Sequence, residues 1–588
     1  MYGCAARTNR SEVFDLRKLL CYLRDYRKEC FIGPFFKFME ACFELIVPLV
    51  MAKIIDVGIA NSDKVYIFRM AGVLIGLGLL GFVCAVCAQY FAAKASVGMG
   101  TLLRQAVFQK IMRFSYADID RIGAPTLITR VTADINQVQA GVNLGLRLLL
   151  RSPFIVVGAI VMSFIVNARM AIIFAVTTPL IGFVIYAVMR RSIPFYQKIQ
   201  GGIDKVSQLT RENLSGVRVI RAFSRQEDEK RRFREESDRL FDTQIHAGRI
   251  SALLTPINFV IINLAVIAIL YFGSFRVNTG DLTQGEVTAL VNYMSQVLIA
   301  LVALANLIIS LTKAMASATR VAAVLDLPLA ESPASPGPLP EKGAAAVTFD
   351  HVSFAYDGTS ATSLSDISFR VEPGQTIGII GGTGSGKTTL VNLLMRFYDA
   401  SGGRILLFGN DIRSYDDATL RTLFGVVPQK SVLFRGSVRD NIRWGKPDAT
   451  DAEIRAALET AQAAEFVDRL TGGLDAPIEQ GGRNLSGGQR QRLCIARALV
   501  GRPPVLVLDD SASALDFATD ARLRKAIRTS TADATVFLIS QRAATIMNAD
   551  RILVLDDGRI VGAGTHTELL SVCPVYREIC QSQLSGNR

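Results

Sequence analysis

The sequence predicts a multi-domain protein: an all-α polytopic membrane domain with six transmembrane helices, followed by an α/β domain of the P-loop type. Three observations carry this. Half of the 588 residues are hydrophobic, only 20% are charged, and the mean hydropathy is +0.32, high for a chain that meets water on all sides. Six long apolar stretches crowd the first 320 residues. Beyond residue 343 the pattern changes to short strands and helices around a glycine-rich loop. At this length a single core is not expected.

Residues 1–30 form the first segment. Within it, Phe14, Leu16, Leu19, Leu20, Leu23 and Tyr26 alternate with Arg17, Lys18, Arg24, Arg27 and Lys28, the pattern of an amphipathic helix lying along a membrane surface. The stretch Met1 to Glu29 is polar and charged, and no cleavable signal is read there. The membrane domain, 31–320, holds apolar runs at about 31–59, 66–96, 140–166, 168–192, 249–275 and 286–313. Each exceeds the roughly 20 helical residues that cross a bilayer. The connections near 60–65, 167 and 276–284 are short. Those at 97–139 and 193–248 are long, helix-patterned and rich in Lys and Arg, among them Arg104, Arg130, Arg190, Arg191, Arg218 and Arg232. By the positive-inside rule both termini and the long loops face the cytoplasm of an inner or plasma membrane. That asymmetry accounts for much of the net charge of +13. No basic run interleaved with aromatics marks a nucleic-acid groove. The nine cysteines are scattered, and Cys84-x-x-Cys87 sits in an apolar run with no second pair, which fits packing rather than metal.

In the first span Lys37, Glu40 and Glu44 share one helical stripe. Ionisable groups at that depth face a cavity or one another. A substrate-facing patch and a mutual ion pair are both compatible with the spacing. Asn292, Gln296 and Asn306 in the last span fit either a lined path or interhelical hydrogen bonds. Residues 321–343 form a linker, with prolines and small residues concentrated in 327–343.

In the remainder, 344–588, Gly381-Gly382-Thr383-Gly384-Ser385-Gly386-Lys387-Thr388 fits GxxxxGK[ST]. An apolar strand pattern precedes it and a helix beginning near Thr389 follows, the context the motif requires. Glycines let the loop curl its N–H groups inward, and the helix N-terminus adds partial positive charge. Lys387 can reach β- and γ-phosphates, and Thr388 can hold Mg²⁺. This is a P-loop nucleotide-binding domain. Tyr356, on the strand before the loop, offers a ring to stack on a base. Val505 to Asp509 is an apolar strand ending in a carboxylate suited to Mg²⁺, and Asp510 follows where a general base is expected. Leu485-Ser486-Gly487-Gly488-Gln489 precedes another helix, a second phosphate-cradling N-terminus.

Together GGTGSGKT, LSGGQ, VLVLDD and Ser513-Ala514-Leu515-Asp516 resemble the ABC transporter ATPase, and residues 31–320 are similar to the membrane domain of ABC exporters. Gln429 matches the family's Q-loop, which senses Mg²⁺. Residues Ser115 to Asp120 and Glu212 to Phe223 fall where two cytoplasmic coupling segments belong. The resemblance implies a half-transporter that binds and hydrolyses ATP with Mg²⁺ and works as a dimer, each ATP lying between one chain's phosphate loop and the other's LSGGQ. Its transported solute would be a small molecule, lipid or peptide, with membrane lipid around it.

Two positions depart from that pattern. Asp510 stands where the family has Glu, and Gln541 where it has His; the three histidines are His246, His351 and His566. The shorter carboxylate withdraws by about an ångström, which costs on the order of 100-fold where geometry is critical. Gln cannot take a proton as His can. The pair resembles the weakened site of a heterodimeric exporter, so a different second ABC subunit is expected. An importer built on the exporter fold and a non-transporting regulatory protein are the alternatives.

Overall fold

The computed structural model describes residues 19–329, 341, 343–356, 362–511, 515–531 and 533–584. The first 18 residues, most of the proline-rich linker, and Ser513 and Ala514 of the SALD sequence lie outside them. The chain forms two compact units. One contains residues up to Met112 together with Pro125–Leu327, the other Arg113–Ala124 together with Pro328–Arg588.

The first unit is helical. Its main helices are α1 (Arg27–Lys53), α2 (Lys64–Ile111), α4 (Ile135–Leu148), α5 (Arg151–Val166), α6 (Ala168–Ser215), α7 (Gln226–Ala252), α8 (Leu254–Asn278) and α9 (Gln284–Leu325). Local chemistry sets the turns between them. Asp63 caps α2 by accepting from the Tyr66 amide at 3.0 Å. Asn167 alone separates α5 from α6 and accepts from the amides of Arg169 and Met170. Thr283 and Glu286 form a reciprocal capping box that starts α9. A 3-10 turn, Cys21–Tyr26, runs directly into α1, which begins at Arg27 and continues through residue 30.

Among the described residues, five helical stretches are long and apolar enough to cross a membrane: Lys64–Ile111, Ala124–Val166, Ala168–Ser215, Gln226–Asn278 and Gln284–Leu325. The expected first span is also helical but is not among them, because Lys37, Glu40 and Glu44 fall in its middle. It packs closely on α2: a Cβ on Gly33 would lie 3.4 Å from the Ala92 backbone, the small-residue contact that lets helix backbones approach. Pro34 and Pro48 lie inside α1, and Pro179 and Pro194 inside α6, as spanning helices tolerate.

The polar stripe of α1 is paired internally. Lys37 Nζ lies 2.6 Å from Glu40, and Arg151 of α5 donates to Glu44 at 2.7 Å. Gln296 Nε2 reaches the Glu44 carbonyl at 3.4 Å, whereas Asn292 bonds within its own helix. Arg151 was not legible as the partner from spacing, being 107 residues from Glu44 in the chain. Nearby, buried Tyr293 donates to the Leu45 carbonyl at 2.6 Å.

The second unit is α/β. A four-stranded antiparallel sheet has the order β2 (Leu364–Val371), β1 (Val347–Phe354), β4 (Gly402–Leu407), β5 (Asn410–Asp411). β7 (Gly436–Ser437) and β8 (Pro477–Ile478) form a short antiparallel pair, and a six-stranded sheet has the order β12 (Arg559–Gly564), β11 (Arg551–Asp556), β3 (Thr376–Gly381), β10 (Thr535–Ile539), β9 (Val505–Asp509), β6 (Phe424–Val427). All but β12 are parallel, and their near-continuous Val, Ile and Leu reflect burial on both faces. The helix α3 (Tyr116–Ile122), from the first long loop, groups with this unit.

Candidate nucleotide site

The phosphate loop leaves the C-terminal end of β3, next to the ends of β9 and β10, where open parallel sheets place their ligands. Two of its glycines are obligatory. Gly384 and Gly386 have φ of +84° and +97°, which only glycine adopts without strain. At Gly381 a Cβ would lie 2.1 Å from the Leu555 carbonyl oxygen, so neighbouring strand β11 also forbids a side chain. Gly386 caps α10 (Lys387–Leu394), whose N-terminus faces the loop mouth. Lys387 is buried and donates to the carbonyls of Gly381 and Gly382 at 2.9 and 2.6 Å. Burial lowers its pKa, and the charges of Asp509 and Asp510 oppose that shift.

Asp509 ends β9 and is 7% exposed. Burial pushes its pKa up to about 6, the neighbouring Asp510 adds to this, and Lys387 works the other way. Such a perturbed carboxylate beside a lysine in a cleft marks a functional site. Asp510 itself turns sharply, with φ +47°. Its amide donates to the Ile539 carbonyl at 2.9 Å, and its carbonyl accepts from Gln491 at 3.2 Å. The helix α11 (Gly487–Leu499) thereby holds the backbone of the residue expected to act as base.

Ser486 caps α11. Its hydroxyl accepts from the Gln489 amide, and the Gln489 side chain accepts from the Ser486 amide at 2.9 Å. Leu485 is buried beneath this turn, while Ser486 and Gly487 face outward. Gly487 shares a depression of about 450 Å³ with Gln429, Lys430, Arg483 and Arg490. Among the described residues no hydrogen bond joins Ser486, Gly488 or Gln489 to the loop 381–388. The two cradles therefore open separately on this chain.

Tyr356 lies just beyond β1, not within it. Its hydroxyl is 3.2 Å from Thr389 Oγ1, and its ring stands edge-on to Tyr398, 5.2 Å between centroids. Thr388 is exposed and Thr389 buried. Gln541 follows β10 and is exposed; its carbonyl accepts from Gln583 of α12 (Pro574–Leu584) at 2.7 Å. Gln583 also accepts from the Ala543 amide at 2.8 Å. This brace was missed in the sequence, since nothing local at residue 583 signals a contact 42 residues away. Tyr398 was missed too. It donates to Asp120 of α3, whose Tyr116 stacks on Phe397 at 4.3 Å, with the Arg421 guanidinium over the Phe397 ring at 4.7 Å.

The ABC transporter transmembrane region matches residues 30–301, and the ABC transporter ATPase family, described as ABC transporter, matches 364–513. An uncharacterised ABC transporter ATP-binding protein of Mycobacterium tuberculosis is 37% identical over 96% of this chain and 97% of its own length. The chain belongs to the ABC transporter family. It is an exporter-type half-transporter, a helical membrane domain fused to an ABC ATPase, and an integral membrane protein. Another relative, the ATP-dependent lipid A-core flippase of Yersinia pestis, is 31% identical over 96% of this chain and 97% of that one. A fatty acid ABC transporter ATP-binding/permease protein of Mycobacterium tuberculosis is 36% identical over 82% of this chain and 76% of its own length. A solved bacterial Atm1-family ABC exporter with ATP bound has the same fold, with a TM-score of 0.79, 24% identity, and coverage of 95% of this chain and 98% of that one. This ABC transporter is an ATPase that couples ATP to transport.

Proposed function

We propose that this chain is one half of a heterodimeric ABC exporter of amphiphilic lipid-like solutes, and that its own ATP site turns over slowly. The single observation that carries the weakened-site reading is the terminus of β9, where Asp510 takes the place of the longer carboxylate and its backbone is fixed from both sides by Ile539 and Gln491. A pinned backbone leaves no slack to restore the missing methylene. The exposed Gln541 beside it lacks the proton chemistry of His. The importing and non-transporting readings gain no support from the relatives.

In this reading the loop Gly381–Thr388, with Thr389 behind it, cradles the ATP phosphates, and Lys387 turns its ammonium from the loop carbonyls to the β- and γ-phosphates. Tyr356 stacks on adenine. Thr388, Asp509 and Gln429 hold Mg²⁺, which when bound neutralises phosphate charge. The donor set fits that ion, being a hydroxyl, a carboxylate and an amide oxygen, all hard ligands. Leu485 anchors the outward-facing Ser486, Gly487, Gly488 and Gln489, which close over ATP held by the partner. The short helix Val217–Ala222 supports a second subunit: Leu214 and Phe223 at its flanks are 71% and 73% exposed, too much apolar surface for a helical tip in water. A sixth span over α1 and cytoplasmic placement of the ATPase complete the arrangement. The function is tested in vesicles containing the native complex, with ATP outside and a fluorescent fatty acid or phospholipid as cargo. ATP-dependent movement between leaflets is expected, and its absence with every amphiphile tried, alongside intact ATP binding, overturns the reading.

A further inference from the structure

At the end of the helical unit marked by Asn167 and Thr279, α6 and α8 border a groove of about 430 Å³ lined by Arg169, Ile172, Ile173, Phe272, Phe275 and Arg276. The two guanidinium groups share one carboxylate. Arg276 donates to Asp281 at 2.8 Å, while Arg169 approaches the same oxygen at 4.0 Å. Arg169 is 69% exposed and makes no side-chain hydrogen bond among the described residues. The mouth of the groove thus carries excess positive charge with donors to spare. Below it the surface is apolar. Ile172, Val176, Leu180 and Phe183 follow one another at helical spacing on α6, and all are exposed. They extend over about 17 Å of helix at 1.5 Å per residue, close to the ~15 Å depth of one leaflet of hydrocarbon.

We propose that this groove holds a resident anionic phospholipid of the adjoining leaflet, its phosphate on Arg169 and Arg276 and one acyl chain along Phe272, Phe275 and the α6 stripe. Charge complementarity chooses the headgroup, and the one-leaflet length of the stripe chooses a membrane lipid over a soluble anion. The site is independent of the transported solute and of the ATP site. A lipid wedged there would couple α6 to α8 at the end where only short turns join their neighbours.

The test uses the full complex in phosphatidylcholine nanodiscs containing a tenth spin-labelled phosphatidylglycerol or, in a parallel arm, spin-labelled phosphatidylcholine. The motionally restricted fraction should favour phosphatidylglycerol by about five-fold at low salt, the effect of roughly one net surface charge, and less at high salt. Arg169→Gln with Arg276→Gln should remove the preference. Arg169→Lys with Arg276→Lys should keep most of it, which separates charge from folding. Arg190→Gln with Arg191→Gln, at the other end of the α6 apolar run, should leave it unchanged. No preference in the wild type, an equal loss in the Arg190/Arg191 variant, or a preference that survives removal of Arg169 and Arg276, overturns the proposal.

Discussion

Asp509 and Asp510 are adjacent, yet their surroundings give them different work. Asp509 is buried at the end of β9, and its pKa of about 6 leaves it partly protonated under mildly acidic conditions. In its proposed role as a Mg²⁺ ligand Asp509 must be deprotonated. Burial has raised the pKa, so the charged form is the one lost as pH falls through about 6. Mg²⁺ affinity at this site is therefore expected to be constant above pH 7 and to fall about ten-fold per unit below 6. Isothermal titration with a non-hydrolysable ATP analogue from pH 5 to 8 checks this; a flat profile would show that Asp509 stays ionised. Asp510 and Gly487 lead to an asymmetric prediction. In the proposed heterodimer Gly487→Asp would put a carboxylate against the γ-phosphate of the partner's ATP in a desolvated cleft, and should nearly abolish ATP hydrolysis by the purified complex. Asp510→Ala should cost only a few-fold if, as proposed, its site already contributes little. Equal damage from both substitutions would remove the weakened-site reading.

At the scale of elements, α3 carries the clearest consequence. It is seven residues long, is capped by Ser115 through the Asp118 amide at 3.1 Å, and is braced by Arg121 on Asp118 at 2.9 Å. Its contact with the ATPase includes the Tyr116–Phe397 stack and the Tyr398–Asp120 hydrogen bond. Burial and the Asp120 charge both hold the Tyr398 phenol well above its ordinary pKa, so it remains a donor throughout the physiological range. Tyr398→Phe keeps the ring and removes the donor, a loss of about 1–3 kcal/mol for a bond to a charged acceptor. Basal ATPase should be nearly unchanged while its stimulation by transported solute drops several-fold. Asp120→Ala should act alike, and the double variant should be no worse than either single one, since both remove the same bond. Additive losses would show that the two residues act separately.

For the whole molecule, the exposed Ser486–Gly487 turn and the apolar tip around Val217–Ala222 are the surfaces that the proposed second chain would cover. Native mass spectrometry of the complex taken from its own membranes should show this chain bound to a different ABC half-transporter. A pure homodimer with vigorous solute-stimulated ATPase would exclude that assembly.

How much of this was legible in the sequence depends on the range of the interaction responsible. The phosphate loop, LSGGQ and the β9 carboxylate were readable because their chemistry is local: glycine φ values, helix N-termini and a strand's hydrophobic run act over a few residues. The capping residues Asp63, Asn167 and Thr283 act over the same short range, although the apolar runs alone did not mark them. So does the division into membrane helices and an α/β domain, since the length and period of apolar runs set it. Side-chain pairs between distant elements were not readable. Arg151 closing the α1 charge stripe, Gln583 bracing the Gln541 turn, Gln491 pinning Asp510 and Tyr398 meeting Asp120 join positions 19 to 278 residues apart. For such pairs only the packed fold decides which donor meets which acceptor. The sequence by itself determined which chemistry this ABC transporter carries; the tertiary structure decided what holds each chemical group in place, because long-range hydrogen bonds and ion pairs form only after the backbone has been brought together.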